Sequence, residues 1–407
     1  MAEPAAILVA ARDEEAAVGG TVRALREAFP GVPVIVADDG SGDGTAGVAA
    51  AAGARVLQLP ARGKGQALTL AEREAPPGRL LLVDADLAGD LAPLVGADAD
   101  LATAVFLERQ GGGFGIAKRA GRALIRARSG VVAREPLSGQ RVVSQAAREA
   151  CFPLAAGFGC EVRMTIDAAR TGLRLEEVEL PLRHRGTGRD VGGFAHRARQ
   201  LLDALLAVGP SAINHRGLRL PLVGWIFALR GPWPVRAIAL LGAADDRWSG
   251  EARGFRGHLR ARRSTGILKL VGIPVVAGAA TRSLRAAALV SLTANFLNQL
   301  DTRPGRALKA FVVGAALTRR VRAADAVVAV LLAPYDLREM TMLGDAGSNA
   351  LGALLGFGSV SNSRGRSQGL AIGALATLTA LGEMRSLGDL IERTPVLREL
   401  DALGRQQ

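Results

Sequence analysis

Two aspartates one residue apart, Asp84 and Asp86, are the residues of this sequence whose types and spacing point most directly to chemistry. They end an apolar run, residues 81–83, which predicts a short buried strand. Alternate side chains of a strand point to the same side, so the two carboxylates would lie on one face and share a cation. Mg2+ in proteins is usually held by one or two carboxylates together with substrate phosphates. The pair therefore indicates a divalent metal beside a phosphorylated substrate, with an acidic turn after a strand as the simpler alternative.

The elements around this pair predict a mostly parallel α/β sheet in the first half of the chain. Apolar strands at 6–10 and 33–37 are each followed by a polar loop and a helix, which is a βαβ rhythm. Ligands of such sheets bind beyond the carboxyl ends of the strands. Asp38 and Asp39 end the second strand, so we expect them at the same edge as the aspartate pair. Lys64, between two glycines, offers a cation to a phosphate there, although a Gly-Lys-Gly turn requires no ligand.

Composition limits the class of protein. The 407 residues exceed one ordinary core and predict two or three domains. The net charge of +13 comes almost wholly from arginine, since lysine occurs only at positions 64, 118, 269 and 309. This charge favours anionic partners such as phosphorylated substrates or lipid headgroups, whereas scattered arginines and few aromatic residues argue against nucleic acid. Cys151 and Cys160 are expected to be reduced and structural, and nothing near Met1 predicts a signal peptide.

Five segments of the first half resemble, in order and spacing, the motifs of family 2 glycosyltransferases with the GT-A fold. They are residues 11–15, 38–45, 63–65, 84–87 and 138–141. The resemblance implies transfer of a sugar from a nucleotide-sugar with Mg2+ or Mn2+ as cofactor. It assigns Asp86 to the metal, and the residues that it assigns to the nucleotide-sugar are Asp38, Asp39, Lys64, Asp84 and Arg141.

Two later segments narrow this resemblance. Residues 157–167 and 180–185 look like the glucosyl-3-phosphoglycerate synthase and polyprenyl-phosphate sugar synthase branches. By this resemblance Glu161 orients the acceptor or acts as general base, and His184 is a further metal ligand. From the residues alone, a glutamate at a helix start is more often a partner of the helix dipole. A single histidine is as easily a surface or core residue.

The chain changes character at Gly209-Pro210, where an amphipathic helix ends. We therefore predict one domain over 1–208 and a second, all-α domain over 211–407. Apolar blocks separated by arginine-rich connectors fill the second half. Most blocks are shorter than the ~20 residues of a membrane-spanning helix, so spanning, interfacial and buried soluble helices all stay open.

Six segments of the second half carry a second resemblance, residues 214–217, 245–246, 253–259, 265–266, 295–306 and 344–348. They resemble the polyprenyl-phosphate phosphoglycosyltransferases, which include phospho-N-acetylmuramoyl-pentapeptide transferase and the N-acetylglucosamine-1-phosphate transferases. That family moves a sugar phosphate from a UDP-sugar onto a lipid phosphate. By this resemblance Asp245 and Asp246 are catalytic or lie near the lipid phosphate. It also makes Asn298 and Asp301 nucleotide-binding, and Asp301 and Asp345 metal ligands. We expect the four aspartates to converge on one metal–diphosphate site, with a capped polar helix face as the alternative.

The preferred interpretation is a bifunctional, membrane-associated protein of the cell envelope. A cytoplasmic GT-A domain, Rossmann-like with a mostly parallel sheet, would be fused to a reduced, membrane-embedded helical domain. The partners would be a nucleotide-sugar donor, a polyprenyl-phosphate or small phosphorylated acceptor, and the cell membrane, without nucleic acid. Two alternatives stay open. The second domain is a non-catalytic anchor or scaffold, or the protein is a soluble synthase with a small phosphorylated acceptor.

Overall fold

The structure, a computed structural model, describes residues 3–87, 89–107, 115–181, 191–248, 265–319, 321–362, 365–384 and 387–405. The chain divides into two compact units, Met1–Pro221 and Leu222–Gln407. The stretch after the predicted boundary at 208, which includes a short hairpin, is grouped with the first unit.

The first unit is built on a mostly parallel sheet, and this part of the predicted fold is confirmed. Its strands are β1 (Ala6–Ala11), β2 (Val34–Asp38), β3 (Arg55–Gln58), β4 (Leu80–Asp84), β5 (Leu101–Phe106), β6 (Arg141–Val143) and β7 (Leu175–Leu180). Over the described residues the strand order is β3-β2-β1-β4-β6-β5-β7. A separate antiparallel pair follows, β8 (Ser211–Ile213) and β9 (Arg219–Pro221).

Helices cover both faces of this sheet. They are α1 (Val18–Ala28), α2 (Thr45–Ala51), α3 (Lys64–Arg73), α4 (Ala92–Val95), α5 (Ile116–Ser129), α6 (Gln145–Cys151), α7 (Cys160–Arg170) and α8 (Val191–Val208). Ile7 and Val9 of β1 belong to one apolar cluster, while Leu8 belongs to another, because alternate side chains of a strand point to opposite faces. Burial on both faces explains why the strands read as continuous apolar runs.

Strands β4 and β6 position the edge of the sheet where the carboxylates lie. Strand β4 ends at Asp84, and Asp86 lies in the following turn, so the predicted placement of both aspartates on one strand is corrected. Among the described strands of this sheet, β6 runs antiparallel to both its neighbours, β4 and β5. The start of β6 therefore lies at the carboxyl edge of the parallel strands. This arrangement brings the loop 138–140 to Asp84.

The second unit is helical, as predicted. Its helices are α9 (Trp225–Arg230), α10 (Trp233–Trp248), α11 (Thr265–Thr281), α12 (Leu284–Leu300), α13 (Arg306–Thr318), α14 (Ala323–Leu337), α15 (Gly344–Asn362), α16 (Arg366–Met384), α17 (Leu387–Arg393) and α18 (Pro395–Ala402). Helices α12 and α15 approach closely at Gly352, which has no side chain; a Cβ there would meet the backbone of Ala294.

The membrane-embedded part of the predicted fold stays a prediction. Within the described ranges, no single helix has both the length and the hydropathy needed to cross a membrane. The segments Arg366–Gly382 and Leu387–Arg393 reach both only as a pair, and the pair is bent by 91°.

Candidate functional site

A cavity of about 870 Å3 opens at the carboxyl edge of the sheet in the first unit. Its walls come from the ends of β1, β4 and β5, from the loop before β6, and from α3, α7 and α8. Of the described residues that line it, eight are Asp or Glu, and the cationic ones are Arg12, Lys64 and Arg199. The cavity is therefore strongly acidic.

Lys64, the first residue of α3, joins two sides of this cavity. Its Nζ atom lies 2.5 Å from Oδ1 of Asp84 and 2.6 Å from Oε1 of Glu161. Burial alone would lower the pKa of Lys64, but the carboxylates of Asp84 and Glu161 outweigh burial and raise this pKa well above its ordinary value. The ammonium group is thus a permanent cation at the place predicted from the sequence.

Glu161 has both carboxylate oxygens engaged. One oxygen pairs with Lys64, and the other accepts a hydrogen bond from the Cys160 thiol at 3.1 Å. The residue is 5% exposed in the first turn of α7, where a carboxylate also suits the helix dipole. Glu161 therefore acts here as the buried counter-ion of Lys64, and this geometry does not favour the predicted role of general base.

The loop before β6 closes the cavity over Asp84. The side-chain amide of Gln140 donates to Oδ2 of Asp84 at 3.2 Å. Arg141 is 1% exposed and does not line the cavity, and its guanidinium donates to the Ser138 carbonyl at 2.8 Å and to the Thr165 hydroxyl at 2.9 Å. The expected contact of Arg141 with the nucleotide-sugar is corrected, because this arginine shapes the loop from behind.

Gly139 leaves no room for a side chain beside the Lys64–Asp84 pair. An added Cβ would collide with both carboxylate oxygens of Asp84 and with Nζ of Lys64. We expect Gly139→Ala to lower the free energy of unfolding by about 1–3 kcal/mol, as overpacking usually does. Urea unfolding would measure the change. The matched control is Gly20→Ala, where an added Cβ meets no atom within 4 Å. Equal stability of Gly139→Ala and wild type would contradict the close contact.

Asp38 and Asp39 differ in position. Asp39 lines the cavity, and its carboxylate accepts the backbone N–H groups of Arg62 at 2.7 Å and Gly63 at 2.9 Å. Burial raises the pKa of Asp39, although these two hydrogen bonds act in the opposite direction. Asp38 does not line the cavity, and its carboxylate accepts the N–H of Ser41 at 3.0 Å. Only Asp39 of the pair is therefore placed to contact a ligand directly.

Asp86, the predicted metal ligand, lines the same cavity as Asp84 and is half-buried. His184, the second predicted ligand, lies outside the described residues. Within the described part of the chain, no group of three or more His, Cys, Asp or Glu side chains is placed to hold a metal ion by itself. Asp84 and Asp86 line the same cavity, and their role as metal ligands stays a prediction.

Helix α8 contributes an acidic residue that the sequence did not reveal as a site residue. Oδ2 of Asp203 accepts the N–H of Phe158 at 3.0 Å, and Asp203 lines the cavity. A side chain at Gly157, whose φ is 64°, would collide with this carboxylate, and one at Gly159 would collide with the backbone of Asp203. The two glycines therefore allow α8 to reach the cavity. In the sequence, the two glycines one residue apart were the available sign of a close contact, but they do not identify the helix that packs against them.

The predicted site residues of the second unit also come together, around Lys269. Its Nζ atom lies 2.5 Å from Oδ2 of Asp245 and also contacts Oδ2 of Asp345. With its amide oriented to suit its neighbours, Asn298 donates to Oδ1 of Asp345 at 2.9 Å and accepts from Lys269 at 3.2 Å. The ammonium group of Lys269 lies at the place where the sequence predicts a metal ion.

Asp246 and Asp301 complete this cluster in different ways. Asp246 accepts the N–H groups of Asp345 at 2.9 Å and Ala346 at 3.1 Å, so it caps the start of α15. Asp301 follows α12, and burial together with the charges of Asp336, Asp345 and Asp246 raises its pKa well above the ordinary value. The structure thus places all four predicted aspartates in one region, with Asp246 bound to the backbone.

The chain is similar to one protein family and to several solved structures. Residues 6–94 match the glycosyl transferase family 2 model, and this match lies within the domain predicted over 1–208. Glucosyl-3-phosphoglycerate synthase from Mycobacterium tuberculosis, crystallised with phosphoglyceric acid, is 26% identical over 51% of this chain and 83% of its own, with a TM-score of 0.42. Its complex with Mn2+, UDP-glucose and glycerol 3-phosphate gives the same identity and coverage at a TM-score of 0.41. Among curated proteins, none matches this chain.

Proposed function

We propose that the first unit is a metal-dependent glycosyltransferase that moves a sugar from a nucleotide-sugar to a phosphorylated or lipid-linked acceptor. The acidic cavity at the carboxyl edge of the sheet carries this proposal, together with the family 2 match of residues 6–94. Eight carboxylates facing three cationic side chains would repel the diphosphate of a free nucleotide-sugar. A divalent cation that accompanies the diphosphate removes this repulsion.

The side chains present fit Mg2+ or Mn2+. Asp86 and Asp84 would hold the ion, because these hard cations take oxygen ligands and commonly bind through one or two carboxylates plus substrate phosphates. When bound, the ion would offset the charge that develops on the departing diphosphate. Lys64 keeps Asp84 in position and adds a fixed positive charge next to it. Asp39, held by two backbone N–H groups, would bind the nucleoside.

A donor screen tests this function. The full chain would be incubated with UDP- and GDP-sugars, with Mg2+ or Mn2+, and with phosphorylated or lipid-linked acceptors, while nucleotide release is measured. We expect release that requires both metal and acceptor and that a chelator abolishes. Release from no donor, combined with no binding of UDP in the presence of Mn2+, would contradict the proposal.

For the second unit, the polar cluster around Lys269 supports a buried polar site, and the resemblance to phosphoglycosyltransferases stays a prediction. Lys269 already neutralises Asp245 and Asp345, so the cluster does not fit a divalent ion while this lysine is in place. We therefore assign no metal-dependent step to this unit.

We also propose that the second unit binds the surface of the cell membrane. Several helices expose large apolar side chains, with exposed fractions from 69% to 89% for Leu240, Leu284, Leu317, Leu370 and Met384. Arginines near such residues gain ~1 kcal/mol each beside anionic headgroups. We expect the full chain to float with anionic liposomes and to float less with neutral ones. Protein that stays in the dense fractions with both kinds of vesicle would contradict this proposal.

A further inference from the structure

We infer that Asp203, on helix α8, is the general base that takes the proton from an acceptor hydroxyl in the first unit. This inference rests on the proposed glycosyltransferase function. It also names the class of acceptor: the attacking atom is a hydroxyl oxygen, because the oxygen of an acceptor phosphate is already ionised and requires no base. The helix that carries Asp203 contacts the cavity only because two glycines lie beneath it.

The carboxylate of Glu161 is poorly suited to this task. A general base must form a hydrogen bond to the acceptor hydroxyl and then hold the proton. One oxygen of Glu161 lies 2.6 Å from Nζ of Lys64, and the other accepts the Cys160 thiol. Protonation of Glu161 would also leave the buried cation of Lys64 with less compensation. Glu161 therefore serves as the counter-ion.

Other carboxylates of the cavity are also engaged. Asp84 pairs with Lys64 at 2.5 Å, and Asp39 accepts two backbone N–H groups. Glu135 pairs with Lys118. Asp86 is reserved for the cation in the proposed function. Each of these groups would have to give up an ion pair, a hydrogen bond or a metal to accept a proton.

Asp203 is held in a geometry that leaves room for a substrate. Within the described residues, the structure gives its side chain one hydrogen bond, from the N–H of Phe158 to Oδ2 at 3.0 Å. This bond fixes the orientation of the carboxylate and leaves Oδ1 for an acceptor hydroxyl. The carboxylate occupies space that only glycine leaves open at position 157, because a Cβ there would overlap it.

The charges around Asp203 favour proton uptake. Burial raises the pKa of Asp203, and the negative charge of Glu161 adds to this effect. The N–H of Phe158 and the guanidinium of Arg199 act in the opposite direction but do not cancel it. Asp203 therefore binds a proton more readily than an ordinary aspartate.

The step balances as a displacement at the sugar. The proton of the acceptor hydroxyl passes to Oδ1 of Asp203 while the hydroxyl oxygen forms a bond to the anomeric carbon of the donor. The bond from that carbon to the diphosphate oxygen breaks, and its electron pair leaves with the nucleoside diphosphate. Asp203 then returns the proton to water.

Formate rescue tests the assignment with the full chain. We expect Asp203→Ala to lower kcat by about 100- to 10,000-fold, the usual worth of a general base, with unchanged binding of UDP and Mn2+. Added sodium formate should restore part of the rate, since it fits the space left by the carboxylate. The matched control is Asp203→Asn, which keeps an acceptor for the N–H of Phe158 but leaves no space, so we expect a low rate without rescue. Glu161→Ala should lose stability and gain nothing from formate.

Three outcomes would overturn the base assignment. They are a near wild-type rate in Asp203→Asn, loss of UDP binding in Asp203→Ala, and transfer by the wild type to phosphate acceptors alone. In the last case the proposed glycosyltransferase function survives. If the wild type binds UDP with Mn2+ yet transfers sugar to no acceptor, the function itself fails and the base assignment fails with it.

Discussion

Replacement of Asp86 by alanine is expected to abolish metal-dependent sugar transfer while the first unit stays folded. Asp86 lies in a turn at the cavity and is half-buried, so its loss removes a carboxylate ligand without creating a hole in the apolar core. We expect kcat to fall by more than about 100-fold, because even outer partners of metal ligands are worth about 10- to 100-fold. Nucleotide release with Mn2+ would measure the loss.

Two controls make this test specific. Asp98→Ala removes an exposed carboxylate that pairs with Arg174 on the surface, and it should keep full activity. Binding of Mn2+ in the presence of UDP should disappear in Asp86→Ala and persist in Asp98→Ala. Full activity of Asp86→Ala would rule out the metal assignment, whatever the donor sugar.

Lys269→Met should destabilise the second unit by about 3–5 kcal/mol, which is the usual cost of removing one partner from a buried ion pair. The carboxylates of Asp245 and Asp345 would then face each other without the ammonium between them. Trp225, Trp233 and Trp248 are the tryptophans of the chain, and all three belong to the second unit. Tryptophan emission during urea unfolding of the full chain therefore follows this unit.

The pH dependence of this loss has a defined sign. Burial raises the pKa of Asp345 in the folded protein to about 7 from an ordinary 3.8, so the folded state holds this proton more tightly than the unfolded state. Its contribution to stability is present below about pH 4 and is lost as the pH rises through about 7. Without Lys269 the carboxylates lose their neutralising charge. Because protonation removes the repulsion between them, the loss of unfolding free energy in Lys269→Met should become smaller as the pH falls.

A double variant provides the control for this second prediction. Lys269→Met with Asp345→Asn removes one positive and one negative charge together, and it should recover much of the lost stability. An unchanged unfolding midpoint in Lys269→Met would contradict the ion pair. A deficit that is the same at acidic and neutral pH would contradict its electrostatic cause.

The sheet and the carboxylates at its edge were predictable because their signals are local. Strands β1, β2 and β4 are continuous apolar runs that end in polar residues, and parallel strands deliver such ends to one edge. The three-residue strand β6 carries too little pattern to be recognised. Its antiparallel direction follows from pairing with β4 and β5, which no local sequence property encodes.

The roles of individual side chains were harder to predict because their partners are distant in sequence. Arg141 ends a motif of the sequence and begins β6, but its guanidinium bonds to Thr165, a partner 24 residues away on α7. Asp203 lies among leucines and alanines on a helix, where an acidic residue usually faces solvent. Lys269 interrupts an apolar block, and its meaning became clear only when Asp245 and Asp345 were brought to it.

The buried cysteines of the first unit can serve as chemical probes of its unfolding. Cys151 and Cys160 are each 1% exposed. Burial raises the pKa of the Cys151 thiol to about 12 and that of Cys160 well above its ordinary value. Alkylating reagents attack the thiolate, so the folded unit should resist them and incorporate label only when it opens. The labelling rate thus measures how often the first unit opens, while tryptophan emission reports unfolding of the second unit in the same sample.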